Sequence, residues 1–301
     1  MERRNFFTTF AKINIYRAVL KRICKILLLA AVLLASGVPA QAGIRDDVLC
    51  LADSLMEGRG HASRGSVEAS AYLLRRFRQI GLEPQIQFFR TDKGVGRNII
   101  AVSRGDARSR QYTLVCAHYD GIGFIGGRVY PGADSNASGV AVLLYLAEAL
   151  KDSGRNFVFV ALDAHSEGLA GAETLASDCR WNLSMVVNLD TIGSVLAPPN
   201  KYRPDFLIAL GGKTHEKALE KANEGIGLRL YYDYYKSKSF TEYFYTRISD
   251  QAPFLRKKVP AVMFTSGITM NTNKLTDDAD GIDFEILGKR AELIRNWLQA
   301  R

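Results

Sequence analysis

The chain has 301 residues, 47% of them hydrophobic, which suits one sizeable α/β domain or two small ones and excludes a disordered polypeptide. Its formal charge of +9 is concentrated at one end: residues 1–25 hold seven Lys or Arg and one Glu, so the remainder carries only +3. A nucleic-acid partner loses its electrostatic support on that count.

In chain order, the basic stretch is followed by an apolar run, Ile26 to Ala35, and then by GVPAQAG. A basic region, a short apolar region and small residues at Ala40 and Ala42 predict a secretory signal peptide cleaved near Ala42, or an N-terminal anchor if it stays in place. The apolar run falls short of the roughly 20 residues of a membrane span. The expectation is therefore an exported protein, periplasmic or secreted, made of a leader (1–42) and one domain (43–301) without a span of its own. Outside the leader lie Cys50, Cys116 and Cys179, an odd number that permits at most one disulfide, with Cys50–Cys179 an open pairing.

Residues 65–80 place Ala, Tyr, Leu and Phe at helical spacing, with Gly81 as the stop. Strand-like runs follow at 85–90, 97–103 and 111–118, then an apolar helix over 138–154 and a buried strand over 157–162. Further strands are expected at 185–190, 205–210 and 259–265, with helices at about 213–224 and 284–300. Strands alternating with helices predict a mixed, mostly parallel sheet covered by helices on both faces. In such sheets the functional residues gather at the carboxyl ends of strands. Three strands end in suitable side chains: His118 with Asp120, the turn Asp163 to Glu167, and Asp190.

The stretch NFVFVALDAHSEGLAGAETLA, residues 156–176, reads as a strand, a sharp polar turn and a helix. Ala164-His165-Ser166-Glu167-Gly168 satisfies the local demand of a serine nucleophile elbow, a small residue on each side of the turn. That reading also needs an acid and a histidine further along, and the one downstream histidine, His215, sits on what reads as an exposed amphipathic helix. The competing reading is a metal site. His118 at a strand end has a carboxylate two residues on, Asp120, suited to fix its tautomer as zinc-bound histidines require. Asp134 lies in a Gly/Asn/Ser-rich loop before an apolar helix, either as a ligand or as a cap. Asp190 ends a third strand.

Taken together, LADSLMEGRGHASRG (51–65), AHYDG, GADSNASG, the 156–176 stretch, NLDTIG, SDQAPF (249–254) and the segment 263–287 resemble the bacterial leucyl aminopeptidase family of co-catalytic zinc exopeptidases, to which glutaminyl cyclases are structurally related. The resemblance covers most of 43–301. It implies two zinc ions sharing a bridging carboxylate, each with one further His and one further carboxylate, and a Glu acting as general base. By position, His118, Asp134 as the bridge and Asp190 match the first zinc site. The general-base position holds His165, the second zinc's carboxylate position holds Ser166 and its His position holds Asn271; the His that usually follows Ser-Asp is Gln251.

A hydroxyl and a carboxamide are poor substitutes for a carboxylate and an imidazole on zinc, and loss of a general base alone commonly costs about 10²–10⁴ in rate. The resemblance thus implies a degenerate member with one zinc possible and the second lost. Such a protein binds a peptide, a small amide or a partner with weak or no peptidase activity; the alternative is a one-zinc hydrolase using His118, Asp134, Asp190 and His165. His165 stays open as base, substitute ligand or hydrogen-bonded remnant. The tyrosine-rich stretch 231–247 reads as packing or as a cleft wall, and Arg59 in EGRG as an ion-pair former.

Overall fold

The computed structural model describes residues 43–301; the expected leader, the expected cleavage site and Cys24 lie outside the described residues. In chain order the elements are α1 (Ile44–Ala52), α2 (Arg64–Ile80), β1 (Gln85–Thr91), β2 (Gly94–Ser103), β3 (Gln111–His118), β4 (Gly123–Ile125), β5 (Arg128–Tyr130), α3 (Ser138–Leu150), β6 (Phe157–Leu162), α4 (Ala170–Ser177), β7 (Asn182–Leu189), β8 (Phe206–Leu210), α5 (Glu216–Ala222), β9 (Arg229–Tyr231), α6 (Lys238–Tyr243), α7 (Ala252–Arg256), β10 (Ala261–Thr265) and α8 (Phe284–Ala300). Eight strands form one mixed sheet in the order β1-β2-β6-β3-β7-β10-β8-β9, and β4 and β5 form a separate hairpin. The centre, β6-β3-β7-β10, is parallel. The antiparallel pairs are β1 with β2, β2 with β6, and β10 with β8.

The apolar run 157–162 becomes β6, buried at every position, as a strand covered on both faces must be. Side chains alternate between those faces. On one face Val115, Ala117, Phe157, Phe159 and Val187 pack beneath α1, α2, α3 and α8. On the other, Leu114, Cys116, Val158 and Val160 meet Leu169 and Leu175 beside α4 and Phe254 of α7. The expected architecture is therefore present, with helices on both faces of a mostly parallel core.

Local chemistry sets the helix limits. Ser63 caps α2 by accepting the Ser66 N–H, and Gly81 ends it in the left-handed region at φ 92°. The helix expected over 138–154 stops at Leu150, and that expected over 213–224 begins with a tighter turn before α5. Strands β4, β5 and β9 have three residues each, too few for periodicity to reveal. Among the described residues Cys50, Cys116 and Cys179 are free thiols, and no helix is long and apolar enough to cross a membrane.

Arg59 is fully buried and, among the described residues, makes no ion pair within hydrogen-bond reach. Instead its guanidinium donates to the backbone carbonyls of Leu51, Tyr119 (2.8 Å), Pro131 (2.7 Å) and Gly132 (2.8 Å), tying α1 to the loops that follow β3 and β5. Around it the backbone passes close to itself: Gly60 bridges Gly121. A Cβ on Gly58, at φ +63°, would stand 2.4 Å from the Tyr130 carbonyl oxygen, and one on Gly121 would stand 2.6 Å from that of Gly58. Only glycine fits such an approach.

Candidate metal centre

The parallel strands β3, β6, β7 and β10 direct their carboxyl ends to one edge of the sheet, where the loops after them meet. Asn136 pins this edge together. Its amide nitrogen donates to the carbonyls of His118 (3.2 Å) and Leu189 (2.9 Å), and its oxygen accepts the N–H groups of Gly139 (3.2 Å) and Thr191 (3.0 Å). One side chain thus joins the ends of β3 and β7 to the start of α3.

His118 is buried with Nδ1 3.0 Å from the Asp120 carbonyl oxygen. A carbonyl only accepts, so Nδ1 carries a proton, and Nε2 lies 3.6 Å from Asp190 Oδ1. The His165 ring stacks on His118 with centroids 4.0 Å apart and planes 17° apart. His165 Nδ1 lies 2.9 Å from Asp250 Oδ2, while its backbone N–H donates to Asp120 Oδ1 at 3.0 Å. Asp120 also accepts the Ser166 N–H and hydroxyl on Oδ2, so one carboxylate shapes the turn after β6. Asp190 accepts hydrogen bonds from Thr191 (3.0 Å) and Ser249. His118, Asp120, His165, Ser166 and Asp190 line a cavity of about 270 Å³, with Ile122, Phe244, Ile248 and Ile268 as its apolar walls; Asp250 is fully buried next to His165.

Electrostatics follow from packing carboxylates against two imidazoles. Burial alone lowers the pKa of His118, but its contacts with Asp120 and Asp190 overcome this and raise it well above the ordinary value. Burial and the neighbouring His118 both oppose charge on His165, yet Asp250 and Asp190 leave it raised too. Asp120, which burial would raise, is held at about 2 by His118 and His165, and Asp190 is held well below the carboxylate range by the same imidazoles and by Ser249.

His118, His165 and Asp250 each offer a ligand atom, and these atoms lie within 4.8 Å of one another. Two imidazoles and a carboxylate make a donor set suited to zinc with an open position. Asp250 Oδ1 is buried without a hydrogen-bond partner, and so is Oδ2 of Asp134, so each carries a lone pair that a cation could use. The residues present therefore fit one zinc-class ion, and among the described residues no second group of this kind is found.

This set shares His118 with the expected trio of His118, Asp134 and Asp190. His118 and Asp190 come together, with Asp120 beside them, whereas Asp134, like Asp250, is buried and does not line the cavity. Its Oδ1 accepts the N–H groups of Gly193 (2.6 Å) and Ser194 (3.1 Å), and its Oδ2 is buried without a partner. Burial and the nearby Asp277 raise its pKa to about 7. Between β5 and α3 the backbone departs from helical geometry at Ser135 and Asn136, and it is Ser135 that faces the cavity.

The positions read as degenerate behave as hydrogen-bonding residues. Ser166 donates to Asp120 at 3.2 Å, and Asn271 accepts from the Thr276 hydroxyl at 2.8 Å while its neighbours Thr272 and Asn273 line the cavity. The serine-elbow reading fails on geometry, because the left-handed residues of the turn are Ala164, Gly168 and Leu169 and not Ser166, and the Ser166 hydroxyl meets a carboxylate instead of an imidazole. Asp250 was overlooked as a ligand. Its signal is the Ser-Asp pair of SDQAPF, whose serine holds Asp190 and whose aspartate holds His165.

Arg290 supports the site from behind. It is fully buried and donates to the carbonyls of Ile192 (2.7 Å), Ser194 (3.0 Å) and Phe206 (2.8 Å). The loop that follows Asp190 is thus gripped by its N–H groups through Asp134 and by its carbonyls through Arg290.

Residues 98–298 match the family described as peptidase family M28. The alkaline phosphatase isozyme conversion protein of Escherichia coli K12 is 29% identical over 163 residues, 45% of this chain and 47% of that protein; the chain spans about half the length of this curated relative. Among solved structures, the zinc aminopeptidase BSAP from Bacillus subtilis superposes with a TM-score of 0.69 at 14% identity, over 86% of this chain and 94% of the other. The glutaminyl cyclase of Porphyromonas gingivalis gives 0.67 at 18% identity, over 87% and 98%. At these identities the two structures speak for a shared fold.

Proposed function

Because the chain belongs to peptidase family M28, we propose that it binds the end of a peptide, or a small amide, in the cavity above a single metal held by His118, His165 and Asp250, and that hydrolysis there is weak or lost. The observation that carries this reading is the His165–Asp250 contact beside His118, which occupies with an imidazole the place where the family resemblance puts a carboxylate base.

When bound, a zinc ion in such a site supplies Lewis acidity toward an amide oxygen. The chain's own residues hold and orient. Asp120 fixes the His118 tautomer through its carbonyl, and Asp250 sets the His165 ring. The apolar walls contributed by Ile122, Phe244 and Ile268 exclude water from a bound side chain. The carboxylates of the cavity are not bases matched to neutral pH. A useful general base has a pKa near the working pH, whereas Asp120 is held at about 2 and Asp190 is held down as well. Glu167 is occupied with Lys93 at 2.5 Å and does not line the cavity. An attacking water would then depend on His165 as its proton acceptor, and a His165 engaged as a ligand would leave hydrolysis weak.

The test is elemental analysis of the purified full chain after zinc loading and desalting, beside Asp250→Asn. About one zinc per chain, lost in the variant, supports the site; two per chain would refute the single-metal reading. A panel of aminoacyl-nitroanilides and peptide amides then separates binding from turnover. Robust zinc-dependent release of an N-terminal residue would replace weak hydrolysis with a one-zinc peptidase. The reading of residues 1–42 as a leader supports export, to be checked by N-terminal sequencing of the protein recovered from outside the cytoplasm.

A further inference from the structure

A second cavity lies at the opposite, amino ends of the same strands that carry the metal centre. It measures about 500 Å³, and its walls include Thr113 of β3, Phe157 of β6 and Ser184 of β7, together with Ser109, Ser153 and Asn156. Two guanidiniums, those of Arg155 and Arg301, border it. Arg155 donates to the Gln299 carbonyl at 3.3 Å, and Arg301 lies over the Trp297 ring, 5.2 Å from its centroid. Among the described residues neither forms an ion pair with a carboxylate.

We propose that this cavity is a binding site for a phosphate-class oxyanion, held between Arg155 and Arg301 and by the hydroxyls that line its floor. Four observations on the cavity support the assignment. The two arginines line the same cavity, and burial, then the charge of Arg155, lower the Arg301 pKa, so their like charges act on each other. The Ser153 hydroxyl is buried without a hydrogen-bond partner, which a buried polar atom rarely tolerates. The acidic side chain at the rim, Asp106, is exposed and accepts the Arg108 N–H at 2.8 Å, so the two arginine side chains outnumber the acidic ones along the wall. Lastly, the wall is built in advance: Asn156 accepts from Gly105 and Asp106 (both 3.1 Å) and donates to the carbonyls of Asp106 and Ser109 (both 3.0 Å). Planar guanidiniums and hydroxyl donors around a preformed space recognise oxyanions by paired, charge-assisted hydrogen bonds.

The shared chemistry is a phosphate group, free or esterified, and two probes distinguish the sources. The full chain, treated with EDTA to remove metal, is titrated with inorganic phosphate and with glycerol 3-phosphate by calorimetry at constant ionic strength. Saturable binding of one phosphate per chain is expected, weakened about tenfold or more in Arg155→Gln and in Arg301→Gln and less in Ser153→Ala, since each arginine supplies a charge-assisted contact. Tighter binding of the ester assigns the site to a phosphorylated molecule, and tighter binding of inorganic phosphate assigns it to the free ion. His118→Ala should bind as tightly as the wild type. A linear, unsaturable response, equal affinity in all the arginine and serine variants, or loss of binding in His118→Ala would each overturn the assignment. Thermal melts in phosphate-free buffer guard against misfolding: Arg301→Gln should melt no lower than the wild type, because the substitution relieves a repulsion.

Discussion

Two layers of the metal centre contrast sharply. The layer facing the cavity carries His165 and Ser166 where the family resemblance puts a carboxylate base and a carboxylate ligand. The layer behind it is dense with side-chain contacts to backbone: Arg59 on four carbonyls, Asn136 on two carbonyls and two N–H groups, Arg290 on three carbonyls. The supporting layer bonds to backbone and is independent of which side chain points into the cavity. Chemistry can therefore be replaced on the front while the fold behind it persists, and the two layers should respond to mutation in different currencies, stability behind and metal binding in front.

The strongest way to break that contrast is Arg59→Met or Asn136→Ala. Each leaves several buried backbone groups without partners, at about 1–3 kcal/mol apiece, so urea denaturation should show losses of roughly 4 kcal/mol or more, or no folded protein. A loss below about 1 kcal/mol would mean that the frame carries no load. Next, Asp250→Asn and His165→Ala should weaken zinc by more than about 100-fold, beyond the usual effect of an outer-sphere residue, with the metal-free fold changed by about 1 kcal/mol or less. Competition with a chelating dye reads the first and melting of the apoprotein the second.

A third test uses pH. In the metal-free protein the raised pKa of His118 contributes stability that is complete below its unfolded value near 6.5 and is lost as pH rises through the folded pKa. Asp134, raised to about 7, acts in the same sense, its contribution fading as pH climbs from about 4 through 7. The depressed Asp120 works oppositely, its contribution being present above about 4 and lost only as pH falls toward 2. Between pH 5 and 9 the apoprotein should therefore lose stability with rising pH, whereas zinc affinity should increase, since both imidazoles must shed protons to ligate. Parallel slopes would show that the histidines do not bind the metal. The smallest effect is expected of Ser166→Ala, which removes one hydroxyl contact to Asp120 and should leave zinc stoichiometry unchanged and stability within about 1 kcal/mol.

Much of the fold was legible. The central strands announce themselves as apolar runs because both their faces are covered, and the carboxyl-end placement of His118, His165 and Asp190 follows from that. The hairpin and β9 were not legible, since three residues carry no period. Nor could spacing decide which side chain of the Asp134-Ser135-Asn136 loop enters the cavity. The backbone there follows no regular geometry, so neighbouring residues point to unrelated places, and the structure selects Ser135. Arg59 illustrates a different limit. A charged residue suggests a charged partner, but its partners are carbonyls from four places in the chain, and backbone groups leave no mark in sequence.

The close passage of Gly58 and Gly60 against Gly121 and Gly123 has a consequence for how this protein can change. That side of the cavity, including the approach to Ile122, is backbone against backbone, and any side chain added there would collide before it could select a ligand. The opposite side is built from ordinary side chains, Phe244, Ile248, Ile268 and Thr272, two of them on an aromatic-rich segment that tolerates substitution far better than a glycine contact. Divergence in ligand preference, whether over generations or in a laboratory library, is thus channelled to one wall, and a library restricted to those four positions should yield far more folded variants with altered preference than one of equal size placed on the glycine side.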